Sequence, residues 1–174
     1  MSQQIQFGDH PFAVKEHWAS KLHWDLRLHC YGRLLLSFAL KKSPHLNPDQ
    51  PLKAVRTPNH NADYLLSERI ISSEYGSGPM AIWDKGVFHV LGTESMTLQL
   101  SRGNLKINVI GRRLNGNFSL KWIGPGEHDW LWVKEQDNYA DPLRKFPNVL
   151  TPEKIKELER KNHVLNASES LDLF

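Results

Sequence analysis

The sequence predicts a mainly β protein, an antiparallel sandwich or barrel followed by one α-helix near the C-terminus. Between residues 12 and 134, short runs of alternating apolar and polar residues are separated by turn signals, and helical periodicity is scarce. After Tyr139 the pattern changes to a helix start signal followed by good helix formers. The short spacing of the runs excludes a fold of βαβ units, because parallel strands need long crossover connections.

The candidate strands combine alternation with apolar, aromatic or β-branched residues. They are residues 12–15, 22–29, 34–40, 53–57, 80–84, 87–91, 96–100, 105–110, 117–122 and 130–134. Four glycine-containing peptides between them are interpreted as tight turns: Tyr31-Gly32, Lys85-Gly86, Arg102-Gly103 and Asn115-Gly116. Glycine suits these positions because it adopts the positive φ that hairpin turns require.

Loops and one helix complete the predicted elements. Residues 41–52 contain three prolines and no periodicity, which predicts a loop, and much of 59–78 is interpreted in the same way. Thr151 is a predicted N-cap with Pro152 at the first helical position, so we expect a helix over residues 153–161. Residues 166–174 are predicted to form a frayed tail.

The composition is that of one globular domain. The chain has 174 residues, of which 40% are apolar and 24% charged, enough to bury a core. Its net charge of +3 is compatible with a polyanionic partner. The single cysteine, Cys30, excludes an internal disulfide, and nine histidines are a more informative excess. No membrane span or signal peptide is apparent, so we expect a cytoplasmic location and no membrane partner.

One segment carries the candidate chemistry. From Leu22 to His29 the alternation is strict, with apolar residues on one strand face and His23, Asp25, Arg27 and His29 on the other. Imidazole, carboxylate and guanidinium groups in one row are unusual for a plain solvent-facing surface.

His23 and Asp25 are spaced to bind one cation, and His17 can supply a third ligand. Two nitrogens and one carboxylate suit Mn²⁺, Fe²⁺ or Zn²⁺ and leave positions open for water and substrate. Arg27, on the same face, is placed to hold a phosphate oxygen. A His-x-Asp pair alone is more often structural, and the addition of His17 and Arg27 favours the metal site.

The same run resembles a known family. Residues 17–28, HWASKLHWDLRL, are similar to the core motif of the 3′-phosphoesterase domain of bacterial DNA ligase D and its stand-alone relatives. The resemblance extends in order over about residues 10 to 141. It continues through residues 37–42, 46–48, 54–57, His60 with Tyr64, 75–78, 82–86, 114–118 and 130–134.

The resemblance implies a closed antiparallel β-barrel of about eight strands with a hydrophobic interior. It implies that His17, His23 and Asp25 bind a metal, typically Mn²⁺, with other divalent metals as alternatives. It also implies that Arg27, His60 and Tyr64 hold the phosphate. We hypothesise that His60 donates a proton to the leaving oxygen. On this basis the chain divides into an N-terminal arm (1–11), a phosphoesterase barrel (12–141) and a C-terminal helix and tail (142–174).

The implied activity is metal-dependent processing of 3′ ends in DNA repair by non-homologous end joining. The substrates would be the 3′ ends of DNA or RNA/DNA primer–templates, from which a 3′-phosphate and, as a further activity, a 3′-terminal ribonucleoside are removed. A DNA ligase, a polymerase or Ku would be supplied separately, and the cytoplasmic enzyme would associate with the nucleoid.

Several positions depart from the family pattern. Lys41-Lys42-Ser43, Pro58-Asn59 and residues 70–75 replace the usual residues, so simple phosphoester hydrolysis is better supported than the full two-step reaction. One alternative is therefore a catalytically weak nucleic-acid-binding barrel. Another is a non-haem Fe(II) oxygenase, which also uses His-x-Asp and a distant His. Such oxygenases usually hold an oxo-acid cosubstrate with an arginine late in the chain. Arg27 lies inside the motif instead, which argues against the oxygenase.

Overall fold

A computed structural model describes residues 8–72 and 77–171. The strands are β1 His10–Trp18, β2 Leu22–Tyr31, β3 Leu34–Leu40, β4 Leu52–Asn61, β5 Arg69–Ile71, β6 Gly78–Val90, β7 Asn104–Gly111, β8 Asn115–Trp122 and β9 Asp129–Lys134. The helices are α1 Met96–Ser101 and α2 Pro152–Leu171, and a short 3-10 turn spans Ala62–Tyr64. Tyr75-Gly76 of the predicted loop and residues 1–7 of the predicted arm lie outside the described residues.

The sheet closes on itself. Its strand order is β1-β2-β3-β4-β9-β8-β7-β6-β5, and β1 also pairs with β6. That pairing closes eight antiparallel strands into a barrel and leaves β5 as an extra strand on β6. The prediction of a mainly β, closed antiparallel barrel with a C-terminal helix is confirmed.

The alternation of β2 determines which side chains enter the barrel. Trp24, Leu26 and Leu28 are buried in the main apolar core. From the opposite wall, the rings of Phe118 and Trp132 stack with centroids 4.5 Å apart. The polar residues of β2 therefore lie on the outer face of the barrel, as the sequence predicts.

Residues 96–100 were predicted as a strand, and this prediction is wrong because the segment forms helix α1. Ser95 caps the helix, since its hydroxyl accepts a hydrogen bond from the Leu98 N–H at 3.2 Å. Met96 and Gln99, three residues apart, are the buried positions. The Gln99 amide donates to the Leu91 carbonyl at 2.7 Å, so the polar residue in the buried position is satisfied. The apolar residues of this segment resemble strand alternation, but they belong to a short helix with one buried face.

Two predicted turns are also wrong. Strand β6 runs through Lys85-Gly86 without a break. A side chain at Gly86 would place a Cβ atom 2.0 Å from the Ile110 carbonyl oxygen of β7. Gly86 therefore permits a close approach of two strands rather than a turn. Asn115-Gly116 begins β8, and the chain reverses just before it, where the Gly111 N–H donates to the Leu114 carbonyl.

The other two predicted turns are real. Gly32 has φ +54° between β2 and β3, as expected. Gly103 has φ +74°, but it joins α1 to β7 instead of two strands.

The C-terminal helix packs on the barrel beside β5. It begins as predicted, with the Thr151 hydroxyl accepting a hydrogen bond from the Lys154 N–H at 3.2 Å. Leu158 is 1% exposed in a small apolar cluster with Leu150 and Ala81. The helix continues to Leu171, so residues 166–171 are helical and not a frayed tail, while residues 172–174 lie outside the described residues. Within the described part of the chain, no helix is both long and apolar enough to cross a membrane.

Candidate active site

Strands β1 and β2 place the predicted metal ligands side by side. In their antiparallel register His17 lies opposite His23, and Lys15 lies opposite Asp25. Residues two apart on a strand share a face, so these side chains all project from the outer face of the barrel. One potential ligand atom each from His17, His23 and Asp25 lies within 4.8 Å of the others.

Asp25 is at the centre of this cluster. Its Oδ2 atom lies 3.4 Å from His17 Nδ1, and its Oδ1 atom lies 3.3 Å from His23 Nε2. When His23 carries its proton on Nδ1, that N–H donates to the Lys21 carbonyl 3.2 Å away, and Nε2 keeps a lone pair for a cation. His17 Nε2 is buried and has no hydrogen-bond partner among the described residues. A divalent cation would satisfy this donor set, so the residues fit a metal centre.

The groups around Asp25 keep its side chain ionised. Burial raises the pKa of Asp25, but hydrogen bonds from His17 and His23 and the charge of Arg27 outweigh it, so its pKa lies well below the usual range. The hydrogen bond to Asp25 in turn raises the pKa of the His23 imidazole. An ionised carboxylate beside two imidazoles is a suitable ligand set for a divalent cation.

Arg27, His60 and Tyr64, the three predicted phosphate residues, line one cleft next to the metal cluster. Arg27 Nη2 lies 3.6 Å from Asp25 Oδ2, and its Nη1 is buried without a hydrogen-bond partner in the described part of the chain. His60 comes from β4, where its Nδ1 lies 2.9 Å from the Ser37 hydroxyl. Tyr64 comes from the 3-10 turn that follows β4. The buried Arg27 Nη1 is thus a donor available to an anion in this cleft.

Lys15 is a further member of the cleft. Its ammonium group donates to the Tyr64 carbonyl and, at 3.1 Å, to the Ser67 hydroxyl. Burial lowers the pKa of Lys15 to about 8, and the positive charges of Arg27 and Arg69 add to this effect. Its place on the same face of β1 as His17, two residues away, is the sequence signal that could have identified it.

Arg69 also lines the cleft, and no spacing in the sequence points to it. It begins β5, the extra strand outside the eight-stranded barrel, and its guanidinium carbon lies 5.0 Å from the centre of the Tyr64 ring. Contact with an aromatic face orients a guanidinium without neutralising it. Arg69 thus brings a further positive charge to the phosphate side of the site.

The His60 imidazole is mostly neutral near pH 7. Burial lowers its pKa below the ordinary value of 6.5, and the charge of Arg27 lowers it further. A negatively charged group bound in the cleft would favour the protonated form. The hypothesis that His60 donates a proton therefore requires that the substrate be bound first.

His29, on the same face of β2, lies outside this constellation. Its Nε2 is 2.7 Å from the Gly32 carbonyl, a local contact across the β2–β3 turn. This contact accounts for His29 as an ordinary strand residue.

Comparison with known proteins gives a consistent result. The family model described as the DNA ligase D 3′-phosphoesterase domain matches residues 15–121. The chain is 33% identical over 138 residues to the multifunctional non-homologous end joining protein LigD of Pseudomonas aeruginosa, covering 78% of this chain and 16% of that protein. It is 34% identical over 139 residues to the multifunctional non-homologous end joining DNA repair protein LigD of Mycobacterium tuberculosis, covering 79% and 18%. For LigD of Mycolicibacterium smegmatis the identity is 32% over 158 residues, covering 86% and 20%. The chain thus spans a fifth or less of the length of these relatives.

Proposed function

Since the chain belongs to the DNA ligase D 3′-phosphoesterase domain family, we propose that it is a divalent-metal-dependent hydrolase that removes 3′-phosphates from nucleic-acid ends. The observation that carries this proposal is the contact between two sets of side chains. The His17, His23 and Asp25 cluster adjoins the cleft of Arg27, His60 and Tyr64. A metal centre beside an anion cleft is what phosphoester hydrolysis requires.

His17, His23 and Asp25 would hold the cation, with Mn²⁺ as the metal that the family implies. A bound divalent cation supplies polarisation of a phosphoryl oxygen and a lowered pKa for a bound water. Asp25 contributes the negative charge of the ligand set, and the two imidazoles contribute nitrogen ligands from β1 and β2. Because both strands belong to the closed barrel, the ligands are held on a rigid scaffold.

The cleft residues would hold the phosphoryl group. Arg27 offers its Nη1 donor, which is buried close to Asp25 and would neutralise charge that develops on a phosphoryl oxygen. Tyr64, 48% exposed at the mouth, offers a hydroxyl to a non-bridging or leaving oxygen. His60, held by Ser37, would donate a proton to the leaving oxygen once an anion is bound.

The relatives support a proposal for the biological setting. LigD of Pseudomonas aeruginosa is named for non-homologous end joining, so we propose that this chain acts on DNA or RNA/DNA primer–template ends during that repair. A ligase, a polymerase and Ku are the proposed partners, in the cytoplasm near the nucleoid. Removal of a 3′-terminal ribonucleoside is the second activity to examine.

The test uses end-labelled primer–template that carries a 3′-phosphate or a single 3′-ribonucleotide, with and without Mn²⁺. We expect Mn²⁺-dependent loss of the 3′-phosphate, abolished in His23→Ala. The matched control is His128→Ala, because His128 is an exposed histidine far along the chain from the ligands. Hydrolysis that persists in His23→Ala, or that needs no metal, would contradict the proposal.

Two other outcomes would favour the alternatives. Binding of primer–template without hydrolysis would favour a nucleic-acid-binding barrel. That alternative arises because residues 41–43 and 58–59 depart from the family pattern. Fe²⁺-dependent turnover of 2-oxoglutarate would favour the oxygenase.

A further inference from the structure

The cleft next to the metal cluster has more positive charge than the predicted phosphate residues supply. Lys15, Arg27 and Arg69 all line it, together with His60 and Tyr64. Lys15 comes from β1, Arg27 from β2 and Arg69 from β5, so three separate strands direct cations to one small space. Its cavity volume is about 50 Å³, which is enough for a phosphoryl group.

Nearby carboxylates neutralise only part of this charge, because Asp25 pairs with Arg27. Within residues 8–72 and 77–163, neither Lys15 nor Arg69 forms an ion pair with Asp or Glu. Glu68, the neighbour of Arg69, is already engaged, because Oε1 accepts from Lys154 at 3.1 Å and Oε2 accepts from the Ile82 N–H at 2.9 Å. Asp25 is shared among two imidazoles and Arg27. The cleft therefore has an excess of positive charge that an anion would balance.

The two substrate classes of the proposed function differ in charge. A terminal phosphomonoester carries between about −1.5 and −2 at neutral pH, whereas a phosphodiester carries about −1. The monoester also has three terminal oxygens to share among donors, and the diester has two. An additional guanidinium in the cleft favours the group with the larger charge and the larger number of acceptors.

We propose that Arg69 is a specificity-determining residue that, with Lys15 and Arg27, selects a terminal phosphomonoester over a phosphodiester in this cleft. The inference rests on the proposed function and names the preferred substrate of that same site. Arg69 contacts the phosphoryl group from the side of Tyr64, whose ring orients the guanidinium. Lys15 keeps the Tyr64 segment in place through the Tyr64 carbonyl and the Ser67 hydroxyl.

The test compares Arg69→Gln with the wild type and with Arg33→Gln, a matched variant of an exposed arginine. For 3′-phosphate removal we expect kcat/KM to fall about tenfold or more in Arg69→Gln, and for a 3′-ribonucleotide diester about threefold or less. We expect Arg69→Lys to retain most of the monoester activity, because lysine keeps the positive charge. Arg33→Gln behaves like the wild type. Equal losses on both substrates would overturn the inference.

A second measurement separates this inference from the proposed function. Calorimetry with inorganic phosphate, with and without Mn²⁺, measures binding of the anion in the absence of turnover. We expect about tenfold weaker phosphate binding by Arg69→Gln. If the wild type binds phosphate in this Arg69-dependent way but hydrolyses neither substrate, the proposed function is wrong and the role of Arg69 in anion binding stands. If phosphate binding is the same in Arg69→Gln and the wild type, the selectivity is wrong whatever the activity.

Discussion

Glu16 joins the barrel to the C-terminal segment, and its removal should destabilise the protein measurably. The residue is completely buried at 0% exposure on β1, one position before a predicted metal ligand. Its carboxylate accepts hydrogen bonds from the Val149 N–H at 3.0 Å and from the Leu150 N–H at 2.7 Å. The Leu150 residue is itself buried, so its N–H has no ready replacement in water.

The expected loss can be worked from these two bonds. Each hydrogen bond to a charged acceptor contributes about 1.5 kcal/mol or more, and Glu16→Ala removes both, so we expect a loss of about 3 kcal/mol in the free energy of unfolding. For a domain of this size, that corresponds to a fall in Tm of about 6 to 12 °C. Glu16→Gln keeps one acceptor oxygen and should lose about half as much.

Urea and thermal unfolding, followed by tryptophan fluorescence, measure this loss. Glu159→Ala is the matched control, because Glu159 is an exposed glutamate on α2 and its removal should change stability by less than about 0.5 kcal/mol. A loss below about 1 kcal/mol in Glu16→Ala would refute the reasoning, because the Val149 and Leu150 N–H groups would then have found other acceptors.

Two further predictions concern the barrel seam and the cleft. Gly86→Ala should cost about 3 kcal/mol or more in unfolding free energy, because the new Cβ would overlap the Ile110 carbonyl oxygen, and near-wild-type urea stability would contradict this. NMR titration of His60 should give a midpoint below 6.5, and Arg27→Gln should raise it, since Arg27 charge is one cause of the lowering; an unchanged midpoint would contradict this. Because the folded state binds this proton less readily, the stability contributed by neutral His60 is present above pH 6.5 and decreases as pH falls.

Much of the barrel could be predicted because period-2 alternation is a local property. In β2 the alternation alone separates Leu26 and Leu28, which enter the core, from Asp25 and Arg27, which face outward. Long-range contacts are not visible in this way. Gly86 resembles a turn residue until the approach of β7 is known, because the reason for the glycine lies on another strand.

The site residues that could be predicted are likewise those that lie close together in the sequence. His17, His23, Asp25 and Arg27 lie within eleven residues on one hairpin, so strand geometry brings them together. His60 and Tyr64 were expected only from the family resemblance. Lys15 shares a face of β1 with His17, two residues away, and that spacing could have identified it. Arg69 required the extra strand β5, which residue spacing does not determine. The parts of the site that come from distant strands thus depend on tertiary structure.

The central claim is that one metal ion held by His17, His23 and Asp25 is responsible for the hydrolysis of 3′-phosphate ends. Electron paramagnetic resonance of Mn²⁺ titrated into metal-stripped protein counts bound ions, and 3′-phosphate release is measured on the same samples. The variants are Asp25→Asn and, as a matched control at an exposed aspartate, Asp49→Asn. We expect the wild type and Asp49→Asn to bind one Mn²⁺ and to gain activity in proportion, and Asp25→Asn to lose both together. Hydrolysis by Asp25→Asn without bound Mn²⁺ would contradict the claim.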